Sequence, residues 1–576
     1  MYEPTALMKF LGQKYPEVNL LIGSLAKSGR LELLTGTYNH NVLTLMQPKD
    51  RSMAIEKTTT LIRRLYGQRA STYFSYGQIW TPSVISTLSK ADISRTMISG
   101  YDATEKKVIH TRPFMMNDLG KKVAVLPYSD VCAKLVSSYG QNEISLDSLI
   151  LGIRRIIENN REEELILMIN VDQLTQGASF AREDDEKLSS VFFSIFERAS
   201  ELGYEFCTVK DINPTVPGCL DEGWYGRDVY TCSHKSFRQI FVQNGNYRYL
   251  LNRAIMVLDE VASYKKDHDI KRELQNLTNC LLSADLFLCN THLSALKLEE
   301  RRMFYRKLLA AEQMLIEKGD IIYPDMYDLN ESGEQNLFSF GKFYTVVYSP
   351  IGGAIDEFDF LPYSVNIFDT VPSWDKVALP VPKLKSFTDK IDFGTHTVDY
   401  SEEIYDVDIL NKAKTEFIFS YDDDINEVEI CKHYKLRNLT LSLELMFINT
   451  SDVEKEFKYS TSVYFTLPST YAFSYDSKRQ IVVGDGLVAV KNVRFADEDK
   501  NYTLSFTATK DFNFKEEQFS QSEVSTLGSE LLYLYTKGEF EFPIQLPPGM
   551  ALSISIATRV IDNKEKKNVS TKQESV

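Results

Sequence analysis

The sequence predicts a chain of mixed class: an α/β region, then helices, then antiparallel β structure. Three observations carry that expectation. Up to about residue 215, short apolar runs alternate with helical stripes. From there to about residue 325 the apolar period stays helical, and beyond about residue 335 it falls to two.

In the first region, PEVNLLIGSLAKSG places Val18, Leu21, Ile22 and Leu25 on one helical face, with Gly29 as a stop. Leu31 to Leu34 reads as a short strand. SMAIEKTTTLIRRLYG is a second helix and STYFSY a second strand. ELILMINV, Glu164 to Val171, is a buried strand ending at Asp172. EKLSSVFFSIFERASEL then carries Leu188, Val191, Phe192, Ile195 and Ala199 at helical spacing, and YEFCTV is a further strand. Strands alternating with helices pair in parallel through right-handed crossovers. In barrels of that class the chemistry sits at the carboxyl ends of the strands. Gly77 and Asp172 both fall at such ends.

In the second region Leu251, Ala254, Leu258 and Val261 form one stripe, and Phe304, Leu308, Ala311 and Leu315 another. In the third, NLTLSLELMF alternates Leu439, Leu441, Leu443 and Leu445 against polar neighbours. ALSISIATRV does the same with Leu552, Ile554 and Ile556. Such runs, separated by Gly, Pro, Asn and Asp, predict antiparallel sheets packed as a β-sandwich. The acidic stretch 383–426 has weak periodicity and reads as a long connection. No internal repeat is present. The boundaries expected are a barrel over 1–215, a helical region over 216–325, a sandwich over 326–562 and a disordered polar tail over 563–576.

The totals exclude several functions. Of 576 residues, 65 are basic and 80 acidic, so the net charge is −15. With no strongly basic segment, nucleic acid is not an expected partner. No run approaches 18 apolar residues and no signal peptide opens the chain, so no membrane association is expected. The seven cysteines are odd in number, widely spaced and free of CxxC, which fits a reducing, cytoplasmic location. No metal cluster and no cofactor motif is expected. The oligomeric state is not readable. Aromatics make up 12% of the chain, which suits large cores and also flat sugar faces.

The stretch TYFSYGQIWTP, Thr72 to Pro82, reads as a strand end followed by a loop into a helix. Gly77 lies in that loop and offers no side chain. With the stretches around it, this segment carries a resemblance. SGRLELLTGTYNHNVLTLMQPKDR, Ser28 to Arg51, resembles a motif of family 57 glycoside hydrolases, in the 4-α-glucanotransferase and α-amylase branch. GQIWTPSVISTLSKADI and LMINVDQLTQG look like the third and fourth conserved regions of that family. NYRYLLNRAIMVLDEV, SPIGGAI and FSQSEVSTLGSELLYLY follow in the order of its helical segment and C-terminal sandwich. The resemblance implies an incomplete (β/α)7-type parallel barrel, α-glucan or maltooligosaccharide as partner, and a retaining mechanism.

Retention needs two carboxyl groups about 5–5.5 Å apart, one as nucleophile and one as acid/base. By the resemblance, the nucleophilic Glu stands three residues before Trp80, where this chain has Gly77, and the neighbouring Arg becomes Gln78. The acid/base Asp matches Asp172, with Leu174 and Gln176 replacing the acidic and aromatic residues after it. The family's first region, a His-Gln-Pro strand end, has no counterpart, so one or two barrel strands are expected to be absent. Catalysis is therefore expected to be lost or much reduced. The alternatives are an active glycosidase whose carboxylate is displaced, from Glu32 or Asp102, and a non-catalytic interaction protein.

Each candidate has a second reading. Asp172 is a surviving acid/base or the cap of the next helix. Glu32 binds a sugar hydroxyl or is a buried, paired carboxylate. Trp80 and Trp224 stack on glucose rings or pack in the core. His40 lines a substrate site or is a hydrogen-bonded loop residue.

Overall fold

The computed structural model describes the chain apart from residues 103–106, 109, 141, 161, 163, 172–173, 175–183, 226–240, 242–244, 288–297, 320, 322, 324–325, 332, 371–383, 468–470, 477–478, 483–485, 498–501, 526–527 and 563–576. The expected disordered tail thus lies outside the described residues. The chain forms two compact units. The first comprises Met1–Gln243, Asn279–Ser294 and Glu523–Glu530, and the second Asn244–Thr278, Ala295–Ser522 and Leu531–Val576.

The first unit is built on a four-stranded sheet. Thr72–Phe74, Arg95–Ser99 and Lys121–Tyr128 run parallel, in registers such as Tyr73↔Thr96 and Met97↔Leu126. Phe114–Asp118 adds antiparallel to the last of these. Single parallel bridges continue the pattern outward: Thr35↔Tyr73 and Tyr2↔Leu34 on one side, Ser129↔Leu167 on the other. Helices covering the sheet include Pro48–Tyr66, Val84–Lys90 and Asp130–Gly140. Pro48–Tyr66 starts on a proline, where the missing N–H costs nothing, and stops at Gly67, whose φ of 72° suits a residue without Cβ.

Both faces of the sheet are buried, as parallel strands require. Tyr73, Ile98 and Val125 pack with Ile55, Ile85, Leu88 and Val123 on one face. Phe74, Met97, Leu126 and Tyr128 join Leu34 on the other.

The expected barrel is corrected in three places. The segment around Leu31–Leu34 contributes only the bridges at Leu34 and Thr35, and Glu164–Val171 only the bridge at Leu167. YEFCTV forms no strand: Glu205, Phe206 and Cys207 are exposed, so the run has no buried face to pair behind. The hairpin of Phe114–Asp118 and Lys121–Tyr128 was not expected. It turns at Leu119–Gly120, with φ of 46° and 78°. Among the described residues, the region expected as an incomplete (β/α)7-type barrel is a mixed α/β region with a small, mainly parallel sheet.

The second unit holds the helices Gly245–Ser263, His268–Thr278 and Leu298–Glu317; the last buries its expected stripe of Phe304, Leu308, Ala311 and Leu315, whereas in the first Ala254 and Val261 are buried and Leu251 and Leu258 only half-buried. Antiparallel strands make up the rest. The stretch 383–426 is no plain connection: it holds Thr388–Asp392, Thr397–Asp399, Asp406–Ile409 and Glu416–Asp423. These join the strands from Val428 to Asp562 in one thirteen-stranded sheet. Thr440–Asn449 alternates buried and half-buried residues along its whole length, as its leucines predict.

The antiparallel character is as expected, but most strands belong to one curled sheet, since strand twist prevents so many strands from lying flat. A separate five-stranded sheet, from Met326 to Asn366, contributes Tyr344, Tyr348 and Phe358 to the same aromatic core. The path of the large sheet ends at Thr397–Asp399 on one side and Asp406–Ile409 on the other.

Several charged groups are sealed in this unit. Arg253 is fully buried, with Glu312 at 3.1 Å, Glu357 at 3.0 Å and Asp359 at 3.8 Å. Tyr305 donates to Glu357 and Tyr323 to Glu312. Lys432 lies 2.5 Å from Asp389 and donates to the carbonyls of Gly352, Gly353 and Phe387. Buried charges of this kind persist only when paired and fully hydrogen-bonded. Among the described residues no helix is long and apolar enough to cross a membrane, and no His, Cys, Asp and Glu group is arranged to hold a metal ion.

Candidate functional site

The parallel strands of the first unit have two distinct ends, and the sequence candidates divide between them. Gly77 follows the carboxyl end of Thr72–Phe74, in a single helical turn over Tyr76–Gln78. Its φ is 79° and its ψ −6°, a left-handed conformation that glycine adopts without steric cost. Gln78 has a φ of 55° and is buried. Its Nε2 donates to the Ser75 carbonyl at 2.6 Å, and its Oε1 accepts from the Ser99 N–H at 2.7 Å. The side chain at this position therefore ties the end of one parallel strand to the end of the next.

The loop is closed from a distant part of the chain. Ile79–Trp80 pairs antiparallel with Gly223–Trp224. The Trp224 indole donates to the Gly77 carbonyl at 2.9 Å, and the Tyr225 N–H donates to the Gln78 carbonyl at 2.8 Å. Trp224 is only 2% exposed and Trp80 is fully buried. Trp80 packs in the core with Val84, Ile85, Leu88 and Tyr225, so both tryptophans occupy packing positions.

His40 lies on the loop that follows the carboxyl end of the neighbouring segment, Leu34–Thr35. Its ring stacks on Tyr76 with centroids 3.9 Å apart and planes 15° from parallel. Tyr2 and Phe74 continue the aromatic group, 4.8 Å apart. Asn39 and His40 have φ of 58° and 55°. The two loops that meet in this stack thus each carry two successive left-handed residues. Tyr76 was not among the sequence candidates; its place directly before Gly77 was the available signal.

Glu32 lies at the other end. It precedes the Leu34 bridge, accepts from Thr72 Oγ1 at 3.0 Å and from the Lys210 N–H at 2.8 Å, and is buried. Thr72 opens its strand. Arg95, which opens the next, donates to the Lys210 carbonyl at 2.8 Å. Both Glu32 oxygens are therefore engaged at the amino ends of the strands. Asp102 sits in a two-residue strand, Tyr101–Asp102, paired with Lys107–Val108. Asp172 lies outside the described residues. The structure brings together Gly77, Trp224, Gln78, Tyr76 and His40, and leaves Glu32 apart.

The sequence profile described as Glycosyl hydrolase family 57 matches residues 5–213, which include His40, Tyr76, Gly77 and Gln78 but not Trp224. Residues 5–213 therefore resemble family 57 glycosyl hydrolases. Two relatives fit that resemblance. A 4-alpha-glucanotransferase of Thermococcus kodakarensis is 25% identical over 133 residues, 23% of this chain and 20% of that protein. Alpha-amylase 1 of Dictyoglomus thermophilum is 22% identical over 221 residues, 38% of this chain and 26% of that protein. The matched segments thus span no more than about a quarter of these curated relatives. The fold extends further than the sequence match. A crystal structure of 4-alpha-glucanotransferase from Thermococcus litoralis superposes over 97% of this chain and 92% of its own, with a TM-score of 0.67 and 14% identity. The fold of that glucanotransferase is therefore shared over both units.

Proposed function

We propose that this chain recognises α-glucans but has lost the covalent step by which its family 57 relatives cleave and transfer them. The relatives named as 4-alpha-glucanotransferase and alpha-amylase supply the substrate class. The observation that carries the loss is Gly77. A retaining enzyme needs one carboxylate to attack the anomeric carbon and a second group to protonate the leaving oxygen. Gly77 offers no side chain, its carbonyl is held by Trp224, and its left-handed backbone disfavours any other residue. Glu32 does not favour a displaced nucleophile, because both its oxygens accept hydrogen bonds at the opposite ends of the strands.

Losing one essential member of such a unit costs on the order of a millionfold in rate. Calorimetry with maltoheptaose, followed by a product assay on the same sugar, tests the reading. The expected result is saturable binding with turnover near background. Turnover at rates ordinary for a glucanotransferase overturns the catalytic half. No detectable binding overturns the recognition half and favours an interaction protein. Two further arms probe position 77: azide added to the unmodified protein, where a small anion can take the place of the missing carboxylate, and Gly77→Glu without azide; a gain in turnover in either marks Gly77 as the vacant nucleophile position.

A further inference from the structure

We infer that the His40–Tyr76 stack is the surface on which a glucose ring of the bound glucan rests. This inference names the contact within the reading just given and rests on it.

Three features point to that role. The first is position: both rings sit on loops that leave the carboxyl ends of adjacent parallel segments, and Tyr76 is the residue before Gly77. That is the end of a parallel sheet where ligands bind. The second is the state of the ring. Tyr76 lies with its plane nearly parallel to His40, yet remains 38% exposed. An aromatic ring held by the rings of His40 and Tyr2 that keeps solvent access offers a flat apolar surface with little side-chain entropy left to lose. A pyranose presents its axial C–H groups on one face, and such a face matches a flat ring better than it matches any charged group.

The third feature is strain. Asn39, His40, Gly77 and Gln78 all have φ between 55° and 79°, and three of the four carry a Cβ. Backbone held in this sparsely populated region persists only where the surroundings fix it, and it concentrates at ligand-binding loops. Here the surroundings are visible. The Trp224 and Gln78 hydrogen bonds hold one loop. On the other, Thr37 Oγ1 donates to the Asn41 carbonyl at 2.6 Å, and the Val42 N–H donates to the Leu282 carbonyl at 2.9 Å. These bonds fix the stacked pair without using the exposed surface of Tyr76.

The test is titration of the full chain with maltoheptaose, for the unmodified protein, Tyr76→Phe and Tyr76→Ala. Proton NMR of the sugar is recorded alongside. Tyr76→Phe is expected to bind within about twofold of the unmodified protein, and Tyr76→Ala about tenfold more weakly, the scale of a lost aromatic contact. Upfield shifts of the glucose ring protons are expected with Tyr or Phe at position 76 and not with Ala. If the unmodified protein binds and Tyr76→Ala binds equally well, the stacking surface is refuted while glucan recognition stands. If the unmodified protein does not bind, glucan recognition itself has failed. The exposed position of Tyr76 makes loss of folding a poor explanation for weaker binding, and an unchanged thermal midpoint for Tyr76→Ala verifies that.

Discussion

The Trp224 indole N–H donates to the carbonyl of Gly77, across 147 positions of sequence. The bond fastens the loop at its least constrained residue. Trp224→Phe keeps an aromatic ring and removes the donor to the half-buried Gly77 carbonyl. The loss is expected to be about 0.5–1.5 kcal/mol of stability, the net contribution of a typical hydrogen bond. Urea denaturation followed by circular dichroism reads it. A variant as stable as the parent would mean that the bond contributes nothing.

Glu32 gives a contrasting expectation. Its two oxygens accept from Thr72 Oγ1 and the Lys210 N–H. Glu32→Leu removes both acceptors and leaves Thr72 Oγ1 and the Lys210 N–H without this partner. The thermal midpoint should fall, by an amount equivalent to about 1–3 kcal/mol. Maltoheptaose affinity should not change, because Glu32 sits at the amino ends of the strands. A selective loss of affinity at unchanged stability would instead give Glu32 a role in sugar binding.

Glu3 makes stability depend on pH. The residue is buried and accepts a hydrogen bond from the Tyr66 hydroxyl at 2.9 Å. Burial raises its carboxyl above the ordinary value of 4.5, and the Tyr66 bond offsets only part of that. The folded state therefore holds this proton more tightly than the unfolded state does. The contribution to stability is complete below pH 4.5 and is lost as pH rises through the folded value. Glu3→Gln should be more stable than the parent at pH 7 and match it near pH 4. Equal stability at both pH values would contradict the assignment.

Arg253 is fully buried in the second unit. Arg253→Met would leave Glu312 and Glu357 buried without their cation. A loss of about 3–5 kcal/mol is expected, the usual consequence of breaking a buried pair from one side. Chemical denaturation measures it. A loss below 1 kcal/mol would show that the carboxylates protonate or find other partners.

How far the sequence reached depended on whether a feature was local. Leu441, Leu443 and Leu445 are buried in a strand of period two because alternation is a property of consecutive residues. The stripe of Phe304, Leu308, Ala311 and Leu315 was legible for the same reason at the helical period. The hairpin of Phe114–Asp118 and Lys121–Tyr128 was also local, and it was passed over. Phe114 and Met116 alternate against Val123 and Val125 around Leu119–Gly120, but the turn lacks the Asn-Gly or Asp-Gly pair that marks such hairpins most strongly.

At the site, Gly77 could be singled out from its distance to Trp80. What surrounds it could not. Trp224 reaches Gly77 from a separate segment, and the His40–Tyr76 stack joins two loops that only pairing through Thr35↔Tyr73 brings side by side. Sequence spacing carries no record of such contacts.

The ends of the thirteen-stranded sheet have a consequence for the molecule's solubility. Thr397–Asp399 and Asp406–Ile409 are three and four residues long, and Asp399, Asp406 and Asp408 stand exposed on them. A row of open backbone donors and acceptors at the rim of so wide a sheet would otherwise template fibril growth. Brief strands bearing like negative charges repel a second molecule approaching in register, so each sheet stops at its own rim.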